Sequence, residues 1–325
     1  MATCSKACNR LPRCAAPDYN QCQRATNRKV GSFFRLPAVS SRLLCGVAGD
    51  VKMLRYSMPA VWGAGVVAVP QLRKVKRPME NEYLQQFHQR GYFTVPTLLT
   101  EEEIKAVFAE IEHIVDDYAE VPDELIQYEP RVMSGEVAVD TLELAVRKLF
   151  RMAVHNAFFA RLARHPRWLQ IAHALLGPQL NLVQSMLLMK PPHCSTAKVW
   201  HQDNAYFRLF PCHLLGFWVA CDRATVENGC MHVVPCSQHA GIVAHHGVGD
   251  EYGAVQSPAP AEVVAVPLEA GDALVFHGEL LHATPANRTN QRRRALQYHY
   301  AATDCRRLRD DYPFRLPAPE QIIQA

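Results

Sequence analysis

Gly177-Pro178-Gln179-Leu180-Asn181-Leu182-Val183-Gln184-Ser185-Met186-Leu187-Leu188-Met189 is where the hydrophobic period of this chain changes. The Gly-Pro pair ends a helical pattern that opens at Pro166, a first-turn position where the missing N–H costs nothing. From 181 to 189 the apolar residues no longer repeat at three and four. Six further short apolar or alternating runs follow, at 197–203, 214–221, 230–234, 262–266, 273–276 and 294–301, parted by Pro, Gly and Asn. Successive strands with no helix between them predict an antiparallel sandwich or barrel.

Upstream of Gly177 the pattern is mostly helical. Order is expected to begin near Met79. Tyr83, Leu84 and Phe87 have helical spacing, Gly91 stops them, and 92–95 reads as a short strand. Thr100 stands three residues before Glu103, a capping box, and Ile104, Val107, Phe108, Ile111, Ile114 and Val115 then mark one apolar helix face. Helices are also expected over 141–152, 156–163 and 166–176. The class is therefore α+β, with N-terminal helices packed on one sheet of a C-terminal β-barrel or jelly roll.

The formal net charge of +4 hides two regions of opposite character. Residues 1–77 hold 14 Lys/Arg against two acids, Asp18 and Asp50, whereas the other 248 residues hold 21 against 29. The acidic bulk would repel phosphate, which excludes a uniformly basic nucleic-acid binder. The uncharged apolar window 56–72 is 17 residues with Pro59, Pro70, Gly63 and Gly65 inside it, so no membrane span is expected. Five of the 11 cysteines fall in the leader without any Cys-x-x-Cys, and the odd total argues against a secreted disulfide scaffold. Rich in Arg, Ser and Ala, the leader has the composition of a mitochondrial or plastid transit peptide; a disordered extension or a misassigned start explains it equally well. The expected location is intracellular: mitochondrial or plastid in the first case, cytoplasmic otherwise. Gly63-Ala64-Gly65-Val66-Val67-Ala68 matches a dinucleotide fingerprint in form only, because Pro70 stops the helix that would carry a pyrophosphate.

The chemistry is concentrated in Trp200-His201-Gln202-Asp203. On a strand, residues i and i+2 share a face, so His201 and Asp203 can present a nitrogen and an oxygen to one point. A third ligand is available in 271–282, where an apolar run ends in two histidines, His277 and His282. Two His and one carboxylate, with other positions open, form the ligand set of non-haem Fe(II) oxygenases. Arg292, Arg293 and Arg294 lead into the last alternating run, and an Arg at a strand edge can clamp a carboxylate with both arms.

In these residues the chain resembles the phytanoyl-CoA dioxygenase family of Fe(II)- and 2-oxoglutarate-dependent oxygenases, over roughly 80–305. The most specific stretches are 186–192, 200–203, 227–230 and 271–287. The resemblance implies a double-stranded β-helix, with 78–325 as the oxygenase domain. It also implies Fe(II), 2-oxoglutarate and O2, and hydroxylation of an unactivated C–H bond of a small-molecule or acyl substrate with release of succinate and CO2. It places the metal ligands on His201, Asp203 and His282. The cosubstrate's distal carboxylate falls to Arg293 and Thr284, with Lys148, Met186, Gln202 and Trp218 lining it. His277 is the alternative distal ligand, with Arg288 eleven positions on as its Arg; but Arg288 sits in a polar turn and does not open a strand. Lys148 is expected on an amphipathic helix. One departure stands out: Pro235-Cys236-Ser237-Gln238 replaces the family's Pro-Gly-Ser-His. His193, His245 and His246 are extra and are expected in loops.

Two other classes remain. A noncatalytic binding module that keeps the metal and 2-oxoglutarate site would be favoured by a missing ligand or Arg, and none is missing. A zinc hydrolase lacks any zinc-type spacing here. Substrate choice would lie in 206–213 and 238–260, where Arg208 could pair with an acidic substrate. The oligomeric state cannot be read.

Overall fold

The computed structural model describes residues 81–116, 125–248, 251–308 and 321–324; the expectations for the leader, 1–77, lie outside them. The chain runs from helix α1 (Asn81–Arg90) through strand β1 (Tyr92–Val95) to helix α2 (Glu101–Asp116). Strand β2 (Ile126–Tyr128) and the one-turn α3 (Pro130–Met133) precede β3 (Val146–Phe150), after which α4 (Met152–His155), α5 (Ala157–Leu162) and α6 (Pro166–Leu176) complete the helical part. The helix starts are built as their sequences dictate. The Thr100 amide donates to Glu103 Oε2 at 2.8 Å while Thr100 Oγ1 accepts from the Glu103 amide at 3.2 Å. Asn156 Oδ1 accepts from the Phe158 and Phe159 amides, so α5 begins one residue later than its polar cap.

The helix expected over 141–152 does not form. A 3-10 turn at Leu142–Ala145 gives way to β3, which pairs Lys148 with Leu188 and Leu149 with Leu187. Pairing with a distant strand overrides the local helical spacing, and Lys148 therefore stands on a strand.

Beyond Gly177 the chain is mostly strand: β4 (Gln179–Lys190), β5 (Lys198–His201), β6 (Leu209–Phe210), β7 (Leu214–Ala220), β8 (Met231–Val233), β9 (His245–Val248), β10 (Glu251–Ala254) and β11 (Val264–Val266). Strands β12 (Ala273–His277), β13 (His282–Thr284), β14 (Arg293–Ala302), β15 (Arg306–Arg307) and β16 (Gln321–Gln324) follow, and the short helix α7 (Asp203–Phe207) interrupts the series after β5. Every pairing among the described residues is antiparallel. The main sheet has the order β1-β12-β7-β14-β4-β3-β2, with β16 also on β4; a smaller sheet has the order β11-β8-β13-β5, and β9–β10 and β6–β15 are two-stranded.

Alternation along the main sheet sets two faces. Outward, Phe217, Val219, Val275, Leu296, Tyr298 and Tyr300 join the helical layer in one buried cluster with Ile104, Ile111, Phe159 and Trp168. Trp168 stacks on Phe217 with ring centroids 5.6 Å apart and meets Tyr298 edge-on at 4.9 Å. Tyr298 and Tyr300 donate their hydroxyls to the carbonyls of Phe159 and Ala163, pinning α5 to the sheet. Inward, Trp218, Leu274, Phe276 and Ala295 pack against Met231, Val233 and Val266 of the smaller sheet. The two sheets thus lie face to face, with helices on the outer side of the larger one. A bulge in β4, where Gln184 pairs with His299 but Leu182 with Tyr300, reverses the alternation and keeps both halves of that long strand apolar toward the helices.

Candidate metal centre

His201 ends β5 and His282 opens β13, and the register pairs them directly. Their rings lie 4.1 Å apart between centroids. Asp203 is reached through extended Gln202 and forms the first residue of α7, not the last of a strand as expected. The same-face argument survives because Gln202 (φ −120°, ψ 133°) keeps strand geometry up to the turn. Asp203 Oδ1 lies 3.5 Å from His201 Nε2 and 3.8 Å from His282 Nε2, and one donor atom from each of the three falls within 4.8 Å of the others.

Both imidazoles are fixed by their own strands. His201 Nδ1 donates to the Val199 carbonyl at 2.8 Å and His282 Nδ1 to the Leu280 carbonyl at 2.9 Å. Each ring therefore offers its Nε2 lone pair to the centre. Burial, with His282 and Lys198 nearby, pushes His201 down to about 3, and burial lowers His282 as well, so both rings are neutral and able to ligate at neutral pH. Burial alone would raise Asp203, but His299, His282 and His201 hold it well below the usual carboxylate range. The second carboxylate oxygen, Oδ2, meets His299 Nε2 of β14 at 2.7 Å. His299 is fully buried and was not anticipated as a site residue. The signal for it lay in the strand alternation that places residues 293, 295, 297 and 299 on one face.

The three consecutive arginines go three ways. Arg292 forms an ion pair with Glu143, and Arg294 grips Asp222 through Nε and Nη2, both at 2.9 Å. Arg293 faces inward, 1% exposed, with its guanidinium carbon 5.2 Å from the Trp218 ring centroid. Its Nε and Nη1 are buried without a hydrogen-bond partner among the described residues, and burial pushes it down to about 10. A buried guanidinium with unsatisfied donors is a receptor for a carboxylate.

The remaining expected residues divide. Thr284 is buried two positions after His282, and Met186 sits on β4 opposite Gln297, on the inward face. The Gln202 side chain is spent elsewhere. Its Nε2 donates to the carbonyls of Gly241 and Glu279 and its Oε1 accepts from the Val243 amide, so it ties loops together and does not line the centre. Lys148, lowered to about 8 mainly by burial and the neighbouring Lys198, donates to Glu251 Oε1 at 3.2 Å. Glu251 also pairs with Arg147 and Lys198, and these charges together hold it below its ordinary value against the pull of burial. His277 is not a ligand of this centre: it shares the outward parity of Ala273 and Val275 and contacts Phe87.

Loop expectations also change. His245 lies buried on β9, stacks on Tyr252 and accepts the Gln202 amide at its Nε2, 3.1 Å away. Arg208 caps α7 in the left-handed region at φ 56°. Cys236, standing where the family has glycine, adopts φ 67° and donates its amide to the Arg90 carbonyl.

Comparison with known proteins accords with this geometry. The family model described as Phytanoyl-CoA dioxygenase (PhyH) matches residues 87–295. A phytanoyl-CoA dioxygenase of Arabidopsis thaliana is 23% identical over 266 residues, 73% of this chain and 94% of its own. The peroxisomal phytanoyl-CoA dioxygenase of Rattus norvegicus is 26% identical over 68% of each chain, and phytanoyl-CoA dioxygenase domain-containing protein 1 of Bos taurus is 30% identical over 48% of this chain and 53% of its own. Among solved structures, the epimerase SnoN in complex with Fe3+, alpha ketoglutarate and nogalamycin RO superposes with a TM-score of 0.56 at 25% identity, over 74% of this chain and 92% of that one. EctD from S. alaskensis with 2-oxoglutarate and 5-hydroxyectoine gives 0.61 at 20% identity over 75% and 87%, a likeness of fold.

Proposed function

The chain belongs to the phytanoyl-CoA dioxygenase family, and from that premise we propose that it is an Fe(II)- and 2-oxoglutarate-dependent oxygenase hydroxylating an unactivated C–H bond of a small-molecule or acyl substrate. The observation that carries the reading is Arg293: a buried guanidinium with two unsatisfied donors, on the face of β14 that also carries His299 to the Asp203 carboxylate. His201, Asp203 and His282 would hold the iron, two neutral nitrogens and one carboxylate oxygen suiting Fe(II). Arg293 would take the distal carboxylate of 2-oxoglutarate, with Thr284 supplying a hydroxyl. Trp218 supports the guanidinium from beneath, and Met186 closes the inward face beside Gln297. Lys148 would reach the cosubstrate only by sharing itself with Glu251. When bound, iron would activate O2, the oxidant, with 2-oxoglutarate giving two of the four electrons and leaving as succinate and CO2.

The chain's own work is orientation. The two Nδ1 hydrogen bonds and the His299 contact hold the ligand atoms in place, and the apolar packing of Trp218, Leu274 and Phe276 against the smaller sheet excludes water. The two facing sheets are read as the walls of a double-stranded β-helix, with 78–325 as the oxygenase domain. Anaerobic titration with Fe(II) and 2-oxoglutarate tests the reading. The expected outcome is the weak visible charge-transfer band of the chelate, then succinate on admitting O2. A chain that binds neither metal nor cosubstrate would overturn it.

A further inference from the structure

Two strand irregularities turn basic side chains toward the inside of the fold. In β3, Tyr128 pairs with Val146 but Gln127 with Lys148, so Arg147 is an extra residue in the ladder. Val146 and Leu149 both pack outward under the helices, and Arg147 and Lys148 between them turn in to reach Glu251. In β5, His201 pairs with His282 but Lys198 with Thr284, again with one residue extra. Lys198 stands three residues before His201, which in a regular strand would set it on the opposite face. The irregularity brings it instead to the side of Thr284, the face that carries the ligand histidines. All three cations then meet one carboxylate of β10: Lys148 Nζ lies 3.2 Å from Glu251 Oε1, Lys198 Nζ 3.1 Å from Oε2, and Arg147 pairs with Oε1.

We propose that Lys198, with Arg147 and Lys148 behind it, receives an anionic group of the substrate, so that the molecule oxidised carries a carboxylate or a phosphate. The inference rests on the oxygenase reading and narrows its substrate.

A charge count carries it. Fe(II) and Arg293 bring three positive charges, and Asp203 with the two carboxylates of 2-oxoglutarate brings three negative ones. Lys190, paired with Arg293 across β4 and β14, is offset by buried Glu129. Arg147, Lys148 and Lys198 remain, with Glu251 alone against them. Two positive charges are left over on a wall with little water, where an unpaired charge is costly. Lys148 relieves the excess only in part, since burial and Lys198 push it down to about 8. Lys198 stays charged: against the pull of burial, Tyr206 and Glu251 hold it above its ordinary value. Burial raises the Tyr206 hydroxyl, so that group stays neutral and cannot balance the excess.

Position points the same way. The side chains of Lys148 and Lys198 keep 16% and 19% exposure where Arg147 and Glu251 keep 4%, so the two ammonium groups are what an entering molecule can touch. Lys198 Nζ donates to Tyr206 Oη at 2.8 Å, and the Tyr206 ring lies edge-on to His201 with centroids 5.9 Å apart. Among the described residues Glu251 and Tyr206 take two of the three ammonium donors, which leaves one for a ligand beside the metal centre.

Calorimetric titration of the full chain, anaerobic and saturated with Fe(II) and 2-oxoglutarate, tests this with octanoate, octyl phosphate, octanol and octylamine. The expected result is one equivalent of octanoate or octyl phosphate bound, the tighter of the two naming the substrate's group, with octanol and octylamine weaker by at least about 10-fold. In Lys198→Met the anion affinity falls about 10–100-fold with 2-oxoglutarate affinity unchanged, and Lys198→Arg, which keeps the charge, restores most of it. Binding of neither anion, or octanol bound as tightly as both, would overturn the proposal without any variant. So would equal anion affinity in wild type and Lys198→Met, or a loss of 2-oxoglutarate affinity in Lys198→Met matching that in Arg293→Ala, which would make Lys198 a cosubstrate residue. A chain that takes up neither Fe(II) nor 2-oxoglutarate would remove the oxygenase reading alone, because the same probes on the metal-free chain still show whether anion binding depends on Lys198.

Discussion

Asp203 divides its two oxygens between the imidazole pair and His299. Oδ1 faces the two imidazoles while Oδ2 is held by His299, so His201→Ala and Asp203→Ala are expected to abolish the Fe(II)–2-oxoglutarate band. His299→Ala keeps all three donors but frees the carboxylate. Fe(II) affinity should then drop by about 10–100-fold, the usual cost of an outer-shell partner, and titration in the absence of cosubstrate reads it directly. Arg293→Ala acts on the other side: metal affinity stays and 2-oxoglutarate affinity falls on the order of 100-fold, as expected for a buried charged pair losing one partner. If Arg293→Ala bound 2-oxoglutarate as wild type does, the guanidinium would have some other ligand.

Much of this was legible because it is written in short local spacings. His201 and Asp203 are two residues apart, Arg293 opens an alternating strand, and neither fact needs the rest of the chain. Lys148 was misplaced because Ala145, Leu149 and Met152 repeat at four and three, whereas the pairing of Lys148 with Leu188 is information held 40 residues away. His245 lies on a strand and not in the expected loop for a related reason: β9 and β10 lack alternation and are fixed by each other and by buried ion pairs of Glu251.

At the scale of elements, β7 and β12 meet across a position that tolerates no side chain. A Cβ on Gly216 would come within 2.5 Å of Phe276 Cζ, and Phe276 lies edge-on to His282 at 4.9 Å between centroids. Gly216→Ala should therefore cost about 1–3 kcal/mol in urea unfolding, the range for an overpacked core, and also weaken the chelate band. Trp168, sealed between α6 and the outer face of β7 and β14, is a stability residue alone. Trp168→Phe should lower the unfolding midpoint and leave affinity for Fe(II) and 2-oxoglutarate unchanged; equal damage to both would show that helices and site are less separable than the packing implies.

For the whole molecule, pH sets a limit through buried neutral histidine. Burial pushes His245 down to about 4, against 6.5 for the free side chain. The unfolded chain takes up this proton below 6.5 and the folded chain does not until about 4, so the contribution is intact above 6.5 and is lost as pH falls through that window. At about 1.4 kcal/mol per unit the loss reaches ~3 kcal/mol, and urea midpoints at pH 7 and pH 5 should differ less in His245→Asn than in wild type. Removal of residues 1–77, which lie outside the described structure and upstream of the family match at 87–295, is expected to leave the chelate band intact.

The divided carboxylate of Asp203 has a consequence for the molecule's breathing. The two histidines proposed as ligands hang from the smaller sheet and His299 from the larger, so a metal held by Asp203 and these histidines would close a cross-link whose two ends are the two walls. Opening the walls would break it, and metal loading should slow amide exchange in β14 and in β5 and β13 by a common factor. In Asp203→Asn the two walls should exchange as separate units.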